Sequence, residues 1–83
     1  MRVEEITIGE GSPWIGKKLR EMDLRGRFNL LALAVRQPDG ELKYNPRDDT
    51  ALASGDVLVV LGEVSNTWKA REAAGNKTPH RAV

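Results

Sequence analysis

Two arginines on either side of a glycine, Arg25 and Arg27 around Gly26, carry the clearest potential for chemistry in this 83-residue chain. A guanidinium holds several N–H donors in one plane and binds phosphate oxygens in pairs. The glycine makes the connection flexible. We therefore predict that Arg25 and Arg27 bind a small anion or nucleotide, and the alternative is a solvated basic loop.

The chain offers little for catalysis. Its single histidine, His80, lies beside Arg81 in a C-terminal stretch without apolar pattern, where no acid or base would be held in a fixed geometry. There is no cysteine, and no serine lies in a G-x-S-x-G motif, so covalent catalysis has no nucleophile with a plausible base. The sequence predicts a protein that is not an enzyme and needs no cofactor.

Three carboxylates could approach one another around the middle of the chain. Asp48 and Asp49 are adjacent, and Glu41 is close enough in sequence to join them in space. Carboxylate oxygens suit hard cations, but two neighbouring carboxylates fall short of the ligand number that calcium needs. Aspartates in loops also bond to nearby backbone, and that interpretation is preferred, so no metal site is predicted.

Composition excludes several classes of protein. Thirteen basic and twelve acidic residues leave a formal charge of +1, and aromatic residues make up only 5% of the chain. Nucleic-acid binders usually show a basic field and aromatic side chains for stacking, so no nucleic-acid partner is predicted. The longest apolar run, residues 28–35, is far shorter than the roughly 20 residues of a membrane span. No export signal is recognised at the N-terminus, and we expect a cytoplasmic location.

The first half of the chain predicts a strand, a helix and a second strand. Ile6 and Ile8 alternate with polar residues, which indicates a short strand ending near Ile8. Ser12 followed by proline is typical of a helix start, and apolar residues at helical spacing predict a helix that ends near Asp23. Residues 28–36 are apolar almost throughout, which predicts a strand covered on both faces.

The second half predicts a hairpin, another strand and a last helix. The turn at residues 37–40 (QPDG) joins the apolar strand to residues 41–44, and Leu52 is expected to plug the core from a turn. Residues 57–61 are continuous and rich in valine, as in a strand buried on both sides. Ser65 can begin a helix that runs to about Ala74, with Trp68 as its main apolar anchor.

These elements give the order β-α-β-β-β-α. We predict an α/β (α+β) fold with a small, mostly antiparallel sheet and two helices. Residues 1–75 form one domain, and residues 76–83 form a disordered tail. Two helices are too few to cover both all-apolar strands, so one face should meet a partner. We predict a symmetric homodimer in which Trp14, Phe28 and Leu30 make the contact.

The order and spacing of four segments resemble the TrkA C-terminal domain, also called the RCK C-terminal domain. The resemblance covers roughly residues 3–74. The four segments are residues 11–19 (GSPWIGKKL), 31–40 (LALAVRQPDG), 45–46 (NP) and 54–62 (SGDVLVVLG). Ordinary turn and strand chemistry explains each segment alone, so the resemblance depends on the order in which all four occur.

The resemblance implies a cytosolic regulatory, ligand-sensing and dimerising domain. Such domains usually follow a Rossmann-type nucleotide-binding domain and act at the inner face of the membrane, on a potassium channel or transporter. No G-x-G-x-x-G motif of a Rossmann domain is present in this chain. The alternative is a purely structural assembly domain that binds no ligand.

Some relatives bind cyclic di-AMP between two such domains, and the resemblance implies which residues of this chain correspond to their binding residues. Arg25 matches the arginine that meets the phosphate, and Pro46 matches the proline that lines the pocket. Leu31 stands where an asparagine reads the base, and a leucine can neither donate nor accept a hydrogen bond. Asn29 lies two residues away on the same strand. The predicted ligand-binding residues are therefore Arg25, Arg27, Asn29 and Pro46.

Overall fold

A four-stranded antiparallel sheet with helices on one face forms the domain, in a computed structural model that describes residues 1–76. The predicted fold class is confirmed, although two one-turn helices stand where one longer helix was expected. The elements are β1 (Arg2–Thr7), α1 (Leu19–Met22), α2 (Leu24–Phe28), β2 (Leu31–Arg36), β3 (Leu42–Tyr44), β4 (Val57–Gly62) and α3 (Val64–Ala73).

The sheet has the strand order β1-β4-β2-β3, so the valine-rich strand β4 is internal. Leu58 and Val60 are fully buried, whereas the alternate residues Val57, Val59 and Leu61 are only half-buried. Successive side chains of a strand point to opposite faces. The prediction that this strand is buried on both sides is therefore wrong, because the helices cover one face of the sheet only.

The segment predicted as a helix from Ser12 is mostly a series of turns. The Ser12 hydroxyl accepts from the Trp14 amide at 3.1 Å, which makes a local turn in place of a helix cap. Gly16 then adopts φ +80, a left-handed conformation that a right-handed helix cannot include. Only Leu19–Met22 is helical, and Ile15, expected on the buried face of the helix, is 39% exposed.

The predicted start of the second strand is also displaced. Phe28 ends helix α2, which replaces the expected flexible connection. Asn29 has φ 52, and its N–H donates to the Arg25 carbonyl at 3.1 Å, so it closes the helix as a left-handed cap. Strand β2 begins at Leu31 as a result.

The core lies between the sheet and the helices and is mainly aliphatic. Leu52 is 2% exposed, which confirms that it plugs the core from a turn. Helix α3 buries Thr67 and Ala70, and Ala74, which caps its C-terminus, is buried as well. Trp68 was predicted to anchor this helix in the core, but it is 43% exposed. The buried side of α3 carries the small residues Thr67 and Ala70 instead.

The outer edge of β1 is covered by side chains from the end of the described chain. Arg71 donates from Nε to the Glu5 carbonyl at 2.9 Å, and the Asn76 amide donates to the Thr7 carbonyl at 2.9 Å. These bonds satisfy carbonyls that an edge strand leaves unpaired. Asn76, expected to begin the tail, is therefore held against the sheet, while the rest of the predicted tail lies outside the described residues.

Within residues 1–76, helices are too short and too polar to span a lipid bilayer.

Candidate functional site

A groove of about 410 Å³ opens between the helical corner α1-α2, the start of β2 and the loop after β3. The helices form one wall, β2 forms the floor, and the loop forms the other wall. The lining residues are Leu19, Arg20, Asp23, Leu24, Arg25, Leu30, Leu31, Ala32, Asn45, Pro46 and Asp48.

Backbone hydrogen bonds hold the two walls at a fixed separation. The Leu19 amide donates to the Thr50 carbonyl and the Arg20 amide to the Asp48 carbonyl, both at 2.9 Å. These are amides of the first helical turn, which lack a partner inside the helix. On the other side, the Asn45 amide donates to the Leu33 carbonyl at 2.8 Å. Pro46 is thereby placed opposite α1 by the backbone alone.

The corner between α1 and α2 depends on Asp23. This residue adopts φ 47, and its carboxylate accepts from the Gly26 amide at 3.2 Å. A side chain at Gly26 would meet the Asp23 carboxylate. Asp23 thus ends one helical turn and caps the next, and the change of direction brings Arg25 to the groove.

The four predicted ligand-binding residues do not all line the same groove. Arg25 and Pro46 line the groove. Arg27 lies elsewhere, because residues two apart on a helix point in different directions. Its Cζ atom lies 4.9 Å from the centre of the Phe28 ring, and it borders a separate cavity of about 240 Å³. Asn29 is the helix cap and does not line the groove.

The electrostatic character of the groove comes partly from residues that sequence reasoning missed. Arg20 joins Arg25, and Asp23 and Asp48 add two carboxylates. In the described part of the chain, neither guanidinium makes a hydrogen bond or an ion pair with another residue. No local motif marks Arg20 as a site residue, because only the turn at Asp23 brings it beside Arg25.

The residues of the groove are suited to binding a small molecule. Leucines and a proline offer apolar surface for a ring or a chain, and two free guanidiniums offer donors for an anion. Among residues 1–76, no three metal-ligating side chains converge, and His80 lies outside this range.

The three residues predicted for the dimer contact belong to the core of the single chain. Leu30 is fully buried, and Trp14 and Phe28 are 4% and 9% exposed. The two aromatic rings pack together with centroids 6.3 Å apart. These side chains offer little surface to a partner in the single chain, and both the dimer and its contact residues stay predictions.

Residues 3–75 match the model of the TrkA-C domain. Among curated proteins, the chain is 34% identical over 59 residues to the sodium/sulfate cotransporter 2 of Chlamydomonas reinhardtii and 30% identical over 61 residues to the K(+)/H(+) antiporter subunit KhtT of Bacillus subtilis. These matches cover 71% and 74% of this chain. The chain spans only 7% of the cotransporter and 37% of the antiporter subunit.

Solved structures share the fold at low sequence identity. The RCK C domain dimer of S. agalactiae BusR in complex with c-di-AMP has a TM-score of 0.79 at 17% identity, covering 90% of this chain and 97% of that one. The KtrA RCK C domain in complex with c-di-AMP has a TM-score of 0.76 at 18% identity, covering 84% and 79%. S. agalactiae BusR in complex with its busAB promoter DNA has a TM-score of 0.81 at 17% identity, covering 90% and 36%.

Proposed function

Because this chain belongs to the TrkA-C domain family, we propose that it is a regulatory domain of a potassium channel or transporter, which senses a small ligand and pairs with a second copy of itself. The observation that carries the proposal is the groove, which Arg20, Arg25 and Pro46 line together. A surface of this kind suits a small molecule with an anionic group and an apolar or aromatic body.

The effector we propose is a small nucleotide or a similar organic anion. The c-di-AMP complexes of the BusR and KtrA domains support a nucleotide. Leu31 in the groove argues against tight binding of cyclic di-AMP itself, because an unpaired base edge loses hydrogen bonds that it makes in water. Arg25 and Arg20 would hold the anionic group, and Pro46 with Leu31 would contact the body of the ligand.

The domain would act as one part of a larger transport system. KhtT, a subunit of a K(+)/H(+) antiporter, supports a role in ion transport, although this chain spans 37% of it. The partners we propose are a Rossmann-type nucleotide-binding domain and a membrane potassium channel or transporter. The domain would lie in the cytoplasm at the inner face of the membrane, and it would regulate transport without catalysing a reaction.

We propose no contact with nucleic acid. BusR is known in complex with promoter DNA, and this chain spans 36% of that protein. The net charge of this chain is +1, which supplies no basic field for phosphate backbones.

A second candidate is a purely structural assembly domain that binds no ligand. It is supported by the open apolar face of the sheet, where Val57, Val59 and Leu61 are only half-buried. Such a face can hold subunits together without any effector.

Calorimetric titration separates the two candidates. The domain is titrated with cyclic di-AMP, cyclic AMP, ATP and NAD, and the measurement is repeated with Arg25→Ala and with Arg27→Ala as a matched control. We expect at least one nucleotide to bind, with affinity at least about tenfold lower in Arg25→Ala and unchanged in Arg27→Ala. Absence of binding by all four compounds would favour the assembly domain. Equal losses in both variants would show that the groove is not the site.

A further inference from the structure

A second cavity, of about 240 Å³, lies on the helical side of the domain and is called here the small cavity. Its walls are the turns before α1, the helices α1 and α2, and the end of α3. The lining residues are Pro13, Trp14, Lys17, Glu21, Met22, Arg27 and Ala73. The small cavity and the groove have no lining residue in common, so they are separate sites.

The small cavity is bordered by two cations, Lys17 and Arg27, and by one carboxylate, Glu21. Within the part of the chain that the structure describes, neither cation makes a side-chain hydrogen bond or an ion pair. The donors of both side chains are therefore available to a ligand. The lining has one positive charge in excess, which favours a ligand with a net negative charge.

Two of the three charged groups are held in place before any ligand binds. Glu21 accepts a hydrogen bond at Oε2 from the Lys18 amide at 2.9 Å, and Oε1 has no partner among residues 1–76. Arg27 places its Cζ atom 4.9 Å from the centre of the Phe28 ring, and this cation–π contact restrains the guanidinium. A carboxylate and a guanidinium positioned in this way need little reordering to bind a charged ligand.

The remaining lining of the small cavity is apolar, and its volume limits the size of a ligand. Trp14 and Met22 are 4% and 1% exposed and form the floor, whereas Pro13 is exposed at the rim. Pockets for drug-sized ligands measure about 300 to 1,000 Å³. The small cavity lies below that range, so it suits a compact metabolite with a few methylene groups and is too small for a nucleotide.

We propose that the small cavity binds an acidic amino acid. The two carboxylates of such a ligand match Lys17 and Arg27, its ammonium group matches the free oxygen of Glu21, and its methylene groups contact the apolar floor. The single net negative charge of the ligand balances the excess charge of the lining. A dicarboxylate without an ammonium group would leave Glu21 facing a like charge, and a neutral amino acid would leave one cation unpaired.

NMR titration of the isotopically labelled domain with L-glutamate, from about 0.1 to 20 mM at constant ionic strength, tests the proposal. We expect saturable shifts of the Lys17 amide and the Trp14 indole N–H. Glutarate, which lacks the ammonium group, and L-glutamine, which lacks the second carboxylate, should each bind at least about fivefold more weakly.

Three variants assign the roles of the charged residues. Glu21→Gln keeps an oxygen for the Lys18 amide and removes the charge, so glutamate and glutarate should then bind equally within about twofold. Arg27→Gln should weaken both ligands at least about fivefold. Arg47→Gln makes the same change at an exposed arginine outside the small cavity and should leave both affinities unchanged.

The other outcomes count against the proposal. It is overturned if glutamate gives no saturable shift, or if glutarate binds the unmodified domain as tightly as glutamate, because no ammonium group is then recognised. Equal losses in Arg27→Gln and Arg47→Gln also overturn it, since they would reflect the overall charge of the domain. The dispersion of the amide spectrum confirms that each variant is folded. None of these results bears on the groove, which nucleotide titration of Arg25→Ala tests separately.

Discussion

Arg36 and Glu5 form a two-pronged ion pair across the central strand β4, with Nη1 and Nη2 donating to the two carboxylate oxygens at 3.1 and 3.2 Å. The residues belong to β2 and β1, which do not touch each other in the sheet. Long side chains reach over the half-buried valines of β4 to meet. The pair therefore ties together two strands that are linked otherwise only through their common neighbour.

The pair predicts a pH effect of defined sign. Hydrogen bonds from Arg36, followed by its charge, lower the pKa of the Glu5 carboxyl below its ordinary value of about 4.5. A group whose pKa is lowered on folding stabilises the native state above its unfolded pKa, and the contribution disappears as the pH falls through the folded pKa. Stability should thus decline below about pH 4.5.

Carbon-detected NMR titration of the Glu5 carboxyl checks this prediction. In Arg36→Gln the pKa of Glu5 should rise toward its ordinary value, and the loss of stability below about pH 4.5 should become smaller. Arg47→Gln is the control, because Arg47 lies in the loop after β3 and pairs with Asp49 at 4.0 Å, whereas Glu5 belongs to β1 at the opposite edge of the sheet. The same Glu5 pKa with and without Arg36 would contradict the expectation.

A second prediction concerns close packing at the end of β4. A Cβ atom at Gly62 would overlap Cδ2 of the fully buried Leu30 and would lie 3.3 Å from the Asn29 carbonyl oxygen. Gly62→Ala should lower the free energy of unfolding by about 1 to 3 kcal/mol, as overpacking does in other cores. Gly9→Ala is the matched control, because nothing lies within 4 Å of its added Cβ atom. Urea denaturation gives the free energy of unfolding of both variants. Equal values would contradict the prediction and show that the core adapts to the added methyl group.

A third prediction concerns the floor of the groove. Cyclic di-AMP should bind no more tightly than about 10 μM, because Leu31 cannot pair with the base and a missing hydrogen bond costs about 1 to 3 kcal/mol. Leu31→Asn should strengthen binding by about tenfold or more in calorimetry. Leu42→Asn, the same change at an exposed leucine outside the groove, should have no effect. Submicromolar binding to the unmodified domain would show that Leu31 does not exclude the nucleotide.

Local chemistry allowed several elements to be predicted from the sequence. The turn at residues 37–40 closes as expected, with Gly40 at φ 91 and its amide donating to the Gln37 carbonyl at 2.8 Å. The valine-rich segment is strand β4, and Leu52 is buried. These outcomes depend on the backbone preferences of a few neighbouring residues, and such preferences can be predicted from residue type and order alone.

The family could also be inferred from the sequence, because family resemblance depends on the order of short segments along the chain. The match of residues 3–75 to the TrkA-C domain confirms the resemblance. Arg25 and Pro46 could be named as groove residues for the same reason, and the structure brings both to one groove.

Only the tertiary structure decided which apolar residues are covered and which charges meet. Apolar side chains at Trp14 and Leu30 indicate burial or an interface equally well, and the packing of the helical corner places both in the core. Arg25 and Arg27 are indistinguishable by type, and helix α2 turns only one toward the groove. Burial and convergence depend on residues distant in sequence that fill the same space, and such contacts are set by the fold as a whole.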